Sequence, residues 1–169
     1  MALVLGGGRV VLAERVLEQG WVVVEGGRIR ELGDGTAPYA TDVDCTGLWL
    51  APGFVDTHVH GGGGASFATT SVEEVARAAE FHRRQGSTTI MASLVSTAIE
   101  VLEQQIAVLS ECVKDGSVAG VHLEGPWLSP ARRGAHDARY LRAPTPADVD
   151  RLLRAGSGTI RMVTLAPEL

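Results

Sequence analysis

After Pro52 the chain alternates four times between a short apolar run and an amphipathic or polar connection. The runs are "GFVDTHVH", "STTIMASLVS", "SVAGVHLEG" and "TIRMVTLAPEL". Between the first two, Ser71 opens a helix with Glu74 three residues on, a capping box. That helix places Val72, Val75, Ala76 and Ala79 on one face and stops at Gly86. A second helix carries Ile99, Leu102, Ile106, Leu109 and Val113 at helical spacing and stops at Gly116. Thr145-Pro146-Ala147-Asp148 caps a short third helix ending near Gly156. The segment "PWLSPARRGAHDARYLRAP" is too polar and Pro-rich for a core element and reads as a long loop. Such alternation with short connections is the pattern of βαβ units on a parallel sheet. A closed eight-unit barrel needs about 250 residues, and this chain offers four units.

Residues 1–50 have a different rhythm. "RVVLAE", "GWVVVEGGRIREL" and "DVDCTGLWL" are Val/Leu-rich and separated by "GGG", "GG" and "GDGTAP". Short strands are expected, too few to close a barrel, so a small sandwich or partial sheet is predicted. The domain boundary falls at 50/51.

Composition narrows the function classes. The 169 residues are 45% hydrophobic, enough for a sizeable core, and carry a net charge of -5. The basic residues form no stripe, so no nucleic-acid partner is expected. The N-terminus lacks a basic segment followed by a long apolar one, so no signal peptide is read. No apolar run approaches the roughly 18 residues of a membrane span, so no membrane partner is expected. Cys45 and Cys112 make no disulfide framework, and a reduced, cytoplasmic setting follows.

Chemistry concentrates at strand ends. In the first run Asp56, His58 and His60 share a face, and the C-terminal ends of barrel strands are where active sites sit. Two neutral imidazoles two residues apart can grip one metal ion; they can equally cap a strand and meet water. The following Gly61–Gly64 would let backbone approach a ligand closely. At the end of the third run, His122 and Glu124 share a face. Glu124 can bind a metal, or it can pair with an arginine such as Arg132. His122 reads as a hydrogen-bonded interior histidine rather than a ligand. In the long loop, Arg132-Arg133 could meet a phosphate and His136 could donate to a sugar hydroxyl or phosphate oxygen; the arginines could equally be solvated. His82 reads as a packing or capping residue and Cys112 as core. There is no G-x-S-x-G elbow and no phosphate loop.

Together, "LAPGFVDTHVHGGGG", "GSTTIMASLVS", "GVHLEGPWLSPARRGAHD" and "VTLAPEL" resemble the N-acetylglucosamine-6-phosphate deacetylase family of the amidohydrolase superfamily. The resemblance implies an α/β fold: the first half, about four βα units, of a TIM-like (β/α)8 barrel over residues 51–169, preceded by an incomplete β-sandwich segment. It implies hydrolysis of N-acetylglucosamine 6-phosphate to glucosamine 6-phosphate and acetate. Glu124 matches the family's metal-binding glutamate, and His58 and His60 match the pair that holds a second metal in members that keep it. Ala135 and His136 match its substrate-contacting pair. A divalent ion, zinc or iron, one or two per site, is implied, with a phosphosugar as the small-molecule partner and a homodimer for the full-length family.

The family is roughly twice this long. Its later metal-binding histidines, phosphate-binding arginine and general acid/base aspartate are expected beyond Leu169, so no catalytic residue is assigned within the chain. The chain alone is expected to be inactive. Two other readings fit the H-x-H element: a different amidohydrolase, dihydroorotase-like or a deacylase, and a non-catalytic binding or structural module.

Overall fold

The computed structural model describes residues 1–169, which fall into two units, Met1–Pro52 and Gly53–Leu169. In the first, alternating apolar residues build strands β1 (Ala2–Val11), β2 (Val16–Glu25) and β3 (Arg28–Asp34), followed by the short β4 (Val43–Asp44) and β5 (Trp49–Leu50). The order is β3-β2-β1-β4, with β5 also paired to β1. β2 is antiparallel to β1 and β3, whereas β4 and β5 run parallel to β1. The result is one five-stranded sheet rather than two packed ones. Val10, Leu17 and Val22 form its small core with Leu5, Leu12, Val24 and Leu50.

The "GGG" expected to punctuate this segment lies inside β1 instead. A Cβ on Gly8 would stand 2.9 Å from Cys45 Cβ and 3.1 Å from the Cys45 carbonyl oxygen. The missing side chain therefore admits the Cys45 segment against the strand. Pairing with β2 continues across the glycines through two register shifts.

In the second unit, β6 (Phe54–Val59), β9 (Ser87–Val95), β10 (Gly120–Glu124) and β11 (Ile160–Thr164) form a parallel sheet in the order β11-β10-β9-β6. Each strand neighbours the next in sequence, with no reversal of order. The crossovers contain α1 (Val72–Arg84), α2 (Ile99–Lys114) and α3 (Pro146–Gly156), so the four units expected resolve into four strands and three helices. Ile90, Ala92 and Leu94 of β9 and Val121 and Leu123 of β10 pack with Val75, Ala78, Leu102, Ile106 and Leu109 of the helices. By strand alternation the opposite face of β9 and β10 carries Ser93, His122 and Glu124. The core thus holds one face of the sheet and leaves the other for chemistry.

Two local expectations change. α1 buries Val75, Ala78 and Ala79, while Val72 and Ala76 are exposed, because α1 packs against β9 and α2 through the stripe one residue further round. The capping box is half formed. Ser71 Oγ accepts the Glu74 N–H (3.2 Å), but the Glu74 carboxylate accepts from the Ser66 N–H (3.0 Å) and the Thr69 hydroxyl (2.7 Å). It ties the helix start to a small hairpin, β7 (Gly61–Gly62) with β8 (Ala65–Ser66). No helix is long and apolar enough to cross a membrane.

Candidate metal centre

β6 ends at Val59 and β10 ends at Glu124, on strands separated by β9. Their C-terminal ends bring three donor atoms together. His58 Nε2 lies 3.1 Å from His60 Nε2 and 3.1 Å from Glu124 Oε2, and His60 Nε2 lies 3.0 Å from the same oxygen. Ligand atoms about 2.0–2.2 Å from a shared ion stand about 3.0–3.5 Å apart, so this triangle has the dimensions of a three-ligand site. The same three residues are the group of His, Cys, Asp and Glu side chains close enough to hold one ion. His58 and His60 remain 51% and 41% exposed while Glu124 is 20% exposed, so the site is open on the imidazole side.

The protons make the case for a cation. His60 Nδ1 is 3.0 Å from the Ser93 carbonyl oxygen, which can only accept, so Nδ1 carries the hydrogen. In neutral His60 the Nε2 lone pair then faces the Glu124 carboxylate oxygen. Two acceptors at that distance repel unless a positive charge joins them, either a second proton on the ring or a metal cation. A divalent ion fits the donor set of two imidazole nitrogens and a carboxylate.

Burial pushes the Glu124 carboxyl upward, but the His58 hydrogen bond and, when their rings are protonated, the charges of His58, His136 and His60 outweigh it and hold it below its ordinary value. Its other oxygen, Oε1, is 3.6 Å from His136 Nε2. His136 Nδ1 accepts from the Ser96 N–H (3.3 Å) and lies 2.8 Å from the Ser96 hydroxyl, which leaves Nε2–H aimed toward Glu124. A cavity of about 630 Å³ opens over this edge and is lined by His60, Glu124, Arg132, Ala135, His136 and Thr164, among others.

The remaining expected residues divide. Glu124 pairs with His58, His60 and His136, not with Arg132. Arg133 is drawn into the loop, its Nη1 donating to the His136 carbonyl at 2.7 Å. Asp56 shares the strand face but stays out of the cluster, its Oδ1 accepting the His58 N–H at 3.1 Å. His122 is buried, with Nδ1 2.9 Å from Ser93 Oγ and Nε2 2.8 Å from Thr164 Oγ1. Burial first, and then the His58 charge, lowers its pKa, which keeps it neutral near pH 7. His82 Nε2 lies 2.9 Å from the Gly61 carbonyl oxygen. Cys45 and Cys112 are buried thiols.

Three glycines of the run, Gly61, Gly62 and Gly63, are packed against protein, while Gly64 faces open space. A Cβ on Gly63 would stand 2.8 Å from the Phe81 ring, and one on Gly61 (φ 144°) would strike the Ala65 carbonyl. These residues let the turn after His60 fold tightly and seat α1. Sequence reasoning also passed over Ser93, Ser96 and Thr164, whose hydroxyls hold the histidines. The available signal was the polar Ser93 set between Ala92 and Leu94 in an apolar strand.

The sequence matches the Amidohydrolase family over residues 49–169. The N-acetylglucosamine-6-phosphate deacetylase of Bos taurus is 39% identical over 134 residues, which are 75% of this chain and 33% of that protein. The N-acetylgalactosamine-6-phosphate deacetylase of Shewanella sp. (strain ANA-3) is 36% identical over 122 residues, 70% of this chain and 31% of its own. A crystal structure of N-acetyl-D-glucosamine-6-phosphate deacetylase from Mycobacterium smegmatis is similar with a TM-score of 0.91 at 43% identity, covering 98% of this chain and 47% of that one. A mutant of the same enzyme in complex with N-acetyl-D-glucosamine-6-phosphate gives a TM-score of 0.89. The chain spans about a third of the length of these curated relatives. The chain belongs to the amidohydrolase family.

Proposed function

We propose that this chain supplies part of a metal-dependent deacetylase site acting on N-acetylglucosamine 6-phosphate. The observation that carries the reading is His60, whose Nδ1 is committed to the Ser93 carbonyl so that Nε2 faces Glu124 Oε2 at 3.0 Å. In this reading the parallel sheet is the first half of a (β/α)8 barrel, and the N-terminal sheet is an incomplete sandwich. Sequential strand order and functional groups at the C-terminal strand ends support it.

His58, His60 and Glu124 would hold the ion, zinc or iron. When bound, such an ion polarises an amide carbonyl and lowers the pKa of a water. Glu124 balances its charge, and the Ser93 carbonyl keeps His60 in the tautomer that can serve it. His136, fixed by Ser96, presents Nε2–H for a substrate oxygen, and Ala135 lines the same cavity. Hydrolysis joins the oxygen of water to the acetyl carbon and breaks the C–N bond, and the departing amine takes a proton. The general acid/base for that proton is assigned to no residue here; in this reading it is an aspartate supplied from outside residues 1–169. The whole protein is read as a cytoplasmic homodimer. The Shewanella relative favours a second reading, the galactosamine epimer as substrate.

The test has two arms. Metal analysis of the purified 169-residue chain should find zinc or iron, lost in Glu124→Gln. Acetate release from N-acetylglucosamine 6-phosphate should be absent for the chain alone and appear on mixing with a polypeptide covering the rest of the Mycobacterium smegmatis enzyme. A metal-free chain that gains no metal or activity on mixing overturns the reading. Release by the chain alone that survives Glu124→Gln overturns it as well.

A further inference from the structure

One hydrogen-bonded chain touches every strand of the parallel sheet. The Val59 N–H of β6 donates to Ser93 Oγ of β9 at 3.1 Å. Ser93 Oγ lies 2.9 Å from His122 Nδ1 of β10, and His122 Nε2 lies 2.8 Å from Thr164 Oγ1 of β11. Ser93 Oγ already accepts from Val59, so its own hydrogen is free for His122 Nδ1, and the Nε2–H of neutral His122 then donates to Thr164. That assignment leaves no donor or acceptor of the chain unpaired inside the sheet.

The chain meets the candidate ligands at three points. Val59 is the residue between His58 and His60. The Ser93 carbonyl takes the His60 Nδ1–H. The His122 ring stands edge-to-face to His58, with centroids 4.9 Å apart and planes at 90°. His122 itself lies outside the three-residue cluster and is 1% exposed.

We propose that His122, held between Ser93 and Thr164, is a positioning residue that sets the placement of His58 and His60 before an ion arrives. A histidine that merely fills the interior would need only burial and any two partners. Here both partners bear on the site: Ser93 also fixes His60, and Thr164 lies at the cavity beside Glu124. Outer partners that orient ligating side chains change metal affinity by about 10–100-fold.

The experiment titrates zinc into the 169-residue chain and into Thr164→Val, Thr164→Ser, Ser93→Ala and Ser93→Thr; its zinc readout rests on the metal reading above. Thr164→Val leaves the buried His122 Nε2–H without its acceptor, so the unfolding midpoint of the metal-free chain should fall modestly. Zinc affinity, measured where the variant is still folded, should fall about 10–100-fold. Thr164→Ser and Ser93→Thr should keep wild-type affinity, because they keep the hydroxyl. Equal affinity across wild type, Thr164→Val and Ser93→Ala overturns the positioning role. If Ser93→Ala fails to fold, Thr164→Val decides alone. If the wild type takes up no zinc, the metal reading fails by itself, and imidazole ¹⁵N spectra of the metal-free chain decide on His122. They should show the Nε2–H tautomer in wild type, with mixed tautomers and a displaced His58 signal in Thr164→Val. Identical spectra overturn the role.

Discussion

His60 Nε2 lies 3.0 Å from Glu124 Oε2, although the two residues are 64 positions apart in sequence and sit at the ends of strands that do not touch each other. In neutral His60 neither atom carries a hydrogen, because the single ring proton is on the nitrogen facing Ser93. The geometry therefore stores a demand for positive charge, and removing either partner should abolish it.

Glu124→Gln replaces the shared oxygen by a neutral amide and leaves His58 and His60 in place. Zinc affinity should fall by more than the ~100-fold that an outer partner can cost. Calorimetric titration of wild type and variant at one pH checks it. Equal affinities would mean that the ion binds elsewhere.

The turn after His60 offers a separate test. An alanine at Gly61 must hold φ 144° and push its methyl group into the Ala65 carbonyl, with a cost of about 2–4 kcal/mol in strain and overpacking. At Gly64 (φ 79°) a Cβ meets nothing within 4 Å, so Gly64→Ala should cost about 1 kcal/mol from backbone strain alone. Urea unfolding of the two variants measures the difference. A Gly64→Ala loss as large as that of Gly61→Ala would contradict the close-approach account.

Much of this architecture is legible in the sequence. A period of two puts Asp56, His58 and His60, and likewise His122 and Glu124, on common faces, and parallel βαβ units align strand ends. Spacing thus offers these five as candidates, and the family resemblance, not spacing, singles out His58, His60 and Glu124. The roles of the glycines are not legible, because they depend on where α1 lands. The N-terminal "GGG" looked like a turn because its pairing partners, Trp21 and Gly20 of β2, are set by a hairpin rather than by local preference. The hydroxyl partners were hidden for the same reason. Ser93 meets His122 29 positions away and Thr164 meets His122 42 positions away, and neither distance leaves a mark on local periodicity.

Asp137 gives a prediction in pH. Its carboxylate accepts from the Arg139 side chain and backbone N–H, and with the Arg139 and Arg133 charges this holds its pKa down at about 2 from 3.8. A folded-state pKa below the unfolded one contributes stability that is complete above the unfolded value and disappears as pH falls through the folded value. The turn Ala138–Tyr140, which Asp137 caps just after His136, should therefore hold from neutral pH to about 4 and loosen toward 2. The Arg139 amide resonance should titrate with a midpoint near 2 and lose that titration in Asp137→Asn. A midpoint at the ordinary 3.8 would show that the pairing does not persist in solution.

The last prediction concerns the N-terminal sheet. An apolar groove of about 340 Å³ runs along it, lined among others by Val10, Val22, Ile29, Leu32, Trp49 and Leu50. Ile29 is 65% exposed and Trp49 57%, so the walls of the groove are wet even though its floor is core. Water gains by leaving such a surface, at roughly 25 cal/mol per Å² of apolar area covered. The 169-residue chain should therefore bind the dye ANS with strong fluorescence at neutral pH in its folded state. Ile29→Lys removes an exposed wall residue without touching Val10, Leu17 or Val22 of the core. It should cut that fluorescence several-fold with little change in unfolding midpoint, since exposed substitutions move stability by only about 0.5 kcal/mol. Dye fluorescence that is unchanged in Ile29→Lys would place the accessible apolar surface somewhere other than this groove.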